Sequence, residues 1–61
     1  MKFEANQIFR SKRPNRWIDL RILAIAEGYI VYKHNIEEAH PFVYTEADFR
    51  QLLKDCQYDL V

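Results

Sequence analysis

The chain predicts an α+β fold: a small, strongly bent antiparallel β-sheet of three to four strands with one C-terminal α-helix. Three observations carry this expectation. Residues 17–26 and 29–34 are two apolar, β-prone runs separated by Glu27-Gly28. Gly28 is the single glycine of the sequence, and glycine takes without strain the positive φ that a two-residue hairpin turn needs. Phe49, Leu52, Leu53 and Cys56 then recur at i, i+3, i+4 and i+7, which is the apolar stripe of an amphipathic helix. A partly open SH3-like or Tudor-like barrel is the nearest common shape, and a flat three-stranded sheet carrying a helix is the alternative.

In chain order, residues 3–10 form a weak strand. Phe3, Ala5, Gln7 and Phe9 alternate imperfectly with Glu4, Asn6 and Ile8. Residues 10–16 hold four cations and a Pro-Asn turn signal, so they read as a basic loop outside the core. The strand at 17–26 puts Ile18, Leu20, Ile22, Ala24 and Ala26 on one side and Trp17, Asp19, Arg21, Leu23 and Ile25 on the other. The second set begins polar and ends apolar, which implies a bend, and a bulge near residues 19–21 is one way to make it.

A turn at Glu27-Gly28 pairs Ala26 with Tyr29, Ile25 with Ile30, Ala24 with Val31 and Leu23 with Tyr32. One face then carries Leu23, Ile25, Ile30 and Tyr32, and the other carries Ile22, Ala24, Ala26, Tyr29 and Val31. Both are apolar, and the second must be covered by something. A polar connection leads to a short strand at 41–44, where Pro41 suits a strand start. Thr45-Glu46-Ala47-Asp48 resembles a capping box, with Asp48 in place of the preferred Glu or Gln, opening a helix at 46–56. Glu46 and Asp48 favour the positive end of its dipole. Residues 57–61 are a tail able to cover a hydrophobic edge.

Sixty-one residues make a single domain spanning 1–61, and a chain of this size buries only about 60% of its unfolded surface. Four Phe, four Tyr and one Trp compensate in part. Cys56 is alone, so neither a disulfide nor a cysteine-based zinc pattern can be built. No apolar leader follows Met1, and no run approaches the roughly 18 apolar residues of a membrane span. The expectation is a cytoplasmic protein without membrane association.

Nine basic and nine acidic residues give a formal net charge of zero. They are unevenly placed: residues 1–21 hold six basic and two acidic side chains, while 22–61 hold three and seven. Such a dipolar domain can orient itself on a charged partner.

Candidate chemistry is sparse. His34, Glu37, Glu38 and His40 are metal-competent types, yet their spacing matches no ligand pattern. Cys56 sits on the apolar stripe beside an acidic tail, the opposite of what activates a thiolate. Neither a cofactor nor enzymatic activity is expected. The stronger candidates are Arg10, Lys12, Arg13 and Arg16 with the adjacent Trp17, where cations suit phosphates and an indole can stack on a base. Tyr29 and Val31 represent the second apolar face, which suits a partner protein or a homodimer through the sheet.

The stretch Arg16-Trp17-Ile18-Asp19-Leu20-Arg21-Ile22-Leu23-Ala24-Ile25-Ala26-Glu27-Gly28-Tyr29, followed by Pro41-Phe42-Val43 and a short helix, resembles a group of small bacteriophage and prophage open reading frames. The resemblance covers most of the chain from Arg16 onward and assigns no site residue. It implies a phage accessory protein, a class that includes inhibitors of host enzymes and of defence systems such as anti-CRISPR proteins, acting in the bacterial cytoplasm. The function expected is a non-enzymatic module that binds a host or phage protein. The alternative is a small nucleic-acid-binding module built on residues 10–16 and Trp17.

Overall fold

The computed structural model describes residues 2–13 and 18–61. Six elements follow one another: β1 (Ile8–Ser11), β2 (Leu20–Ala26), β3 (Tyr29–His34), β4 (Phe42–Thr45), α1 (Glu46–Asp55) and β5 (Tyr58–Leu60). The strands form one open antiparallel sheet in the order β4-β3-β2-β1-β5. The sheet therefore has five strands, against the three to four expected. The additional one comes from the C-terminal tail, which pairs along β1 through Phe9–Leu60, Arg10–Asp59 and Ser11–Tyr58.

The β2–β3 turn is where the sequence places it. Glu27 and Gly28 have φ of 41° and 85°, the double positive of a type I′ turn whose twist matches that of its flanking strands. Ala26, Ile25 and Ala24 pair with Tyr29, Ile30 and Val31 as expected, but the next pair is Ile22–Tyr32, with Leu23 left out as a β-bulge. The bulge thus lies at Leu23 rather than near residues 19–21. An extra residue reverses the alternation beyond it, so Ile22 joins Leu20, Ile30 and Tyr32 in the core while Leu23 is exposed. A straight strand would have left Ile22 and Ile25 on opposite faces. β2 starts at Leu20, and Trp17, at the expected start of the strand, lies outside the described residues.

The N-terminal strand is shorter than expected and shifted: β1 begins at Ile8 and runs on to Ser11. This corrects the reading of residues 10–16 as a loop remote from the core. Ser11 is buried, its hydroxyl donating to the Cys56 carbonyl at 3.2 Å and accepting the Arg13 amide at 3.2 Å. Residues 3–7 of the strand expected at 3–10 form no strand, and the chain turns at Ala5-Asn6, with Asn6 at φ 72°.

Helix α1 lies across one face of the sheet. Thr45 Oγ1 accepts the Asp48 amide at 3.1 Å and so caps it. The helix stops at Cys56, whose N–H bonds back to the Leu52 carbonyl, and Gln57 turns the chain at φ 55°. Phe49 is the hub of the core. Its ring meets Phe3 at 5.3 Å, Phe9 at 5.9 Å and Tyr32 at 4.9 Å, and the three Phe rings are mutually edge-to-face. Phe3 closes the Arg50 flank of the helix, with the Arg50 guanidinium 4.6 Å above its ring.

Both turn residues can be checked by urea denaturation. A Cβ built on Gly28 would meet nothing within 4 Å, so the cost of Gly28→Val is that of its backbone, about 1 kcal/mol or more. Gln57→Gly relieves the corresponding strain at the helix end and is expected to stabilise by roughly 0.5–1 kcal/mol. Unchanged midpoints would contradict both assignments.

Candidate functional site

Among the described residues, only one face of the sheet carries a helix. On the other, strand alternation and pairing bring together two regions of different character. At the β2–β3–β4 end lie Ala24, Ala26, Tyr29, Val31 and Val43, with Ala24 against Val31 and Val31 against Val43. Tyr29 is 52% and Val43 62% exposed. This is the second apolar face anticipated from the sequence, without Ile22, which the bulge has moved to the core.

Toward β1 the same face turns basic. Arg21 and Lys33 are directly opposed across β2 and β3. Like charges in that position repel and weaken a sheet. Neither has a carboxylate within ion-pair distance among the described residues; Arg21 donates to Asn6 Oδ1 at 3.0 Å and Lys33 Nζ lies 3.5 Å from the Glu37 carbonyl. Arg10 and Lys12 lie on this face too, each held by an acid distant in sequence. Arg10 grips Asp19 through Nε and Nη2, the latter at 3.0 Å from Oδ2, and Lys12 pairs with Asp59. Both cations are held above their ordinary pKa, by the hydrogen bond to the acid first and its charge second.

The structure thus places Arg10, Lys12, Tyr29 and Val31 on one face, and moves Arg13 away. Arg13 donates from Nη2 to the Asp55 carbonyl at 2.7 Å, at the negative end of α1. Arg16 and Trp17 lie outside the described residues. Of the loop proposed for phosphate contact, Arg10 and Lys12 are therefore neutralised internally, while Arg21 and Lys33 were not singled out from sequence. Their opposition depends on the bulge, which local patterning leaves unplaced.

The helix side holds a second feature that sequence reading missed, a half-open cavity of about 210 Å³ lined by Leu20, Tyr32, His34, Phe42, Tyr44, Leu52 and Tyr58. Tyr32 stacks on Phe42 at 5.6 Å and meets Tyr44 edge-on at 5.2 Å, and His34 meets Phe42 edge-on at 6.2 Å. The Tyr58 hydroxyl donates to the Ile18 carbonyl at 2.9 Å. Ile30, Tyr32 and His34 at i, i+2 and i+4 share a face in any strand, so part of this lining was accessible to periodicity. His34 faces this cavity rather than a metal site, and among the described residues no three of His, Cys, Asp or Glu gather as metal ligands. Among the same residues, no helix is long and apolar enough to cross a membrane. Cys56 is free and buried.

Comparison with protein-family models, with curated proteins and with solved structures gives no significant match to this chain.

Burial, and then the Tyr44 hydroxyl, raise the Tyr32 phenol well above its usual range, and burial raises Tyr58 in the same direction. The folded state therefore holds these protons more tightly than the unfolded chain does. Stability from this source is complete below the unfolded value of about 10 and falls as pH rises above it. A base titration followed by circular dichroism should show a plateau up to about pH 10 and unfolding beyond it. Tyr32→Phe should make the loss shallower, with Tyr58 supplying the remainder; an unaltered curve would contradict the burial of Tyr32.

Proposed function

We propose that this protein is a non-enzymatic interaction module whose uncovered sheet face docks on a partner protein presenting apolar side chains bordered by carboxylates. One observation carries the reading: Arg21 and Lys33 are held opposite each other, at a cost to the sheet, beside an exposed apolar patch. Among the described residues, four cations (Arg10, Lys12, Arg21, Lys33) share that face with the two carboxylates of Asp19 and Asp59. An acidic partner complements the excess, while the aromatic and aliphatic residues supply the buried centre of an interface. The resemblance to phage reading frames gives this module a setting, as a cytoplasmic modulator or inhibitor of a host protein or defence complex. An SH3-like or Tudor-like description of the sheet belongs to the same proposal and is supported by the bulge at Leu23, which bends β2. The nucleic-acid reading is the weaker one, because Arg10 and Lys12 already hold carboxylates.

The test uses a substitution whose effects on stability and binding have opposite signs. Lys33→Glu places a carboxylate opposite Arg21 and is expected to stabilise the fold by about 0.2–1 kcal/mol. The same change should weaken partner binding at least about tenfold. The partner is taken from nuclease-treated bacterial lysate by photo-crosslinking from position 43, and the crosslinked surface is mapped. Apolar residues flanked by acids at the crosslink support the proposal. Crosslinks arising only from a probe at position 51 on the helix, or complete loss of capture on nuclease treatment, reject it.

A further inference from the structure

The cavity on the helix side lies outside the face argued for above. Its inner wall is buried, with Leu20 at 2%, Tyr32 at 4% and Tyr58 at 5% exposure, while Phe42 at 44% and Tyr44 at 36% stand at its mouth. The opening therefore faces outward at β4, the outermost strand of the sheet. Glu46 donates its amide to the Gly28 carbonyl at 2.8 Å, which makes that a hydrogen-bonded pair. By the two-residue alternation of antiparallel ladders, Phe42 and Tyr44 bond inward to β3, and the N–H and C=O of Val43 point out from the free edge. A strand added there would place the residue beside Phe42 or Tyr44 on their face, at the cavity mouth.

The lining also selects what can enter. Its rings meet at 83° (Tyr32 with Tyr44) and 81° (His34 with Phe42), offering both ring faces and ring edges to an inserted aromatic group. A volume of about 210 Å³ fits one such ring, since apolar cavities of about 150 Å³ accept benzene. Charge at the rim points the same way. Leu52 roofs the cavity from one flank of α1, and at 3.6 residues per turn Asp48 and Asp55 lie on that flank, opposite the side carrying Arg50. Arg13 sits at the Asp55 carbonyl, so the acid at the mouth is Asp48, in the first turn of α1 next to β4, and it complements a cationic segment while opposing a phosphate backbone.

We propose that this cavity is a binding site for one aromatic side chain of an extended, basic partner segment that pairs with the Val43 edge. Pro41 has no N–H to offer and Thr45 already begins the helix, so the pairing is short and the ring is the anchor.

The test is an NMR titration of the isotope-labelled full chain with the blocked peptide Lys-Val-Trp-Val-Lys and with its counterpart carrying Ala for Trp. Saturable binding on the order of 1 mM is expected, as one buried ring and two hydrogen bonds allow. The shifts should fall on the Val43 amide and on Tyr32, Tyr44 and Leu52, and they should vanish with the Ala peptide. Val43→Pro removes only an outward donor, which an edge strand tolerates, and it should weaken binding with the melting temperature preserved. Leu52→Trp should abolish binding by filling the space. No shifts with the Trp peptide would overturn the proposal, and so would shifts confined to Tyr29, Arg21 and Lys33. Stronger binding of the same cavity by an octathymidylate would overturn it in favour of a nucleobase, and concentration-dependent cavity shifts without peptide would overturn it in favour of a second copy. None of these results bears on Lys33→Glu, so this inference and the uncovered-face reading can fail separately.

Discussion

The single unpaired residue at Leu23 sets the parity of the whole sheet. On one side of it the type I′ turn locks Ala24–Val31, Ile25–Ile30 and Ala26–Tyr29; on the other, the count restarts with Ile22–Tyr32. Without the extra residue, Ile22 and Leu20 would face away from Ile30 and Tyr32, and the helix would have half a floor to pack on. With it, Leu20, Ile22, Ile30 and Tyr32 share one buried surface. The same shift throws Arg21 to the opposite side, where Lys33 already stands. A continuous core and an opposed cation pair are therefore two results of one backbone irregularity.

Helix α1 completes the core asymmetrically. Phe49 and Leu53 form its buried stripe, with Leu52 partly buried beside it. The Arg50 flank is closed by Phe3, which packs edge-on against Phe9 and Phe49. Among the described residues nothing equivalent closes the Leu52 flank, where a half-open cavity lies between the helix and the β3–β4 end of the sheet. Large aromatic side chains each bury much area, which helps ten buried apolar residues among those described to support a five-stranded sheet.

How much of this was legible in the sequence depends on the range of the interaction. The turn at Glu27-Gly28, the Thr45 cap and the stripe at Phe49, Leu52, Leu53 and Cys56 are encoded within a few neighbouring residues, and each was read in place. Strand β5 was not, because Tyr58, Asp59 and Leu60 are too few to show an alternation and take their structure from β1, more than forty residues away. Ser11 escaped for the same reason: only the chain reversal at Gln57 brings the Cys56 carbonyl to it. Among the candidate site residues, Tyr29 and Val31 share a face as local pattern places them, whereas whether that face is covered is set by the rest of the fold. The roles of Arg10 and Lys12 were not recoverable, since their partners Asp19 and Asp59 are set by strand order. A basic stretch read along the chain thus becomes a mostly paired one when folded, and the cations that do stand opposed lie elsewhere.

Local conflicts separate strain that serves the fold from strain that does not. Positive φ at Asn6, Glu27 and Gln57 is scattered over three chain reversals, and each is explained by the turn it makes. Arg21 and Lys33 each reach a turn, at Asn6 and at the Glu37 carbonyl, but setting them opposite one another adds a repulsion that a neutral or acidic residue at either position would relieve. The pair also lies beside Tyr29 and Val43, whose exposure is itself unfavourable in water. Natural sequences tend to keep such inconsistencies where a binding surface requires them. Two independent costs on one face, absorbed by a domain small enough for a single kcal/mol to matter, are the observations on which the proposed docking role rests.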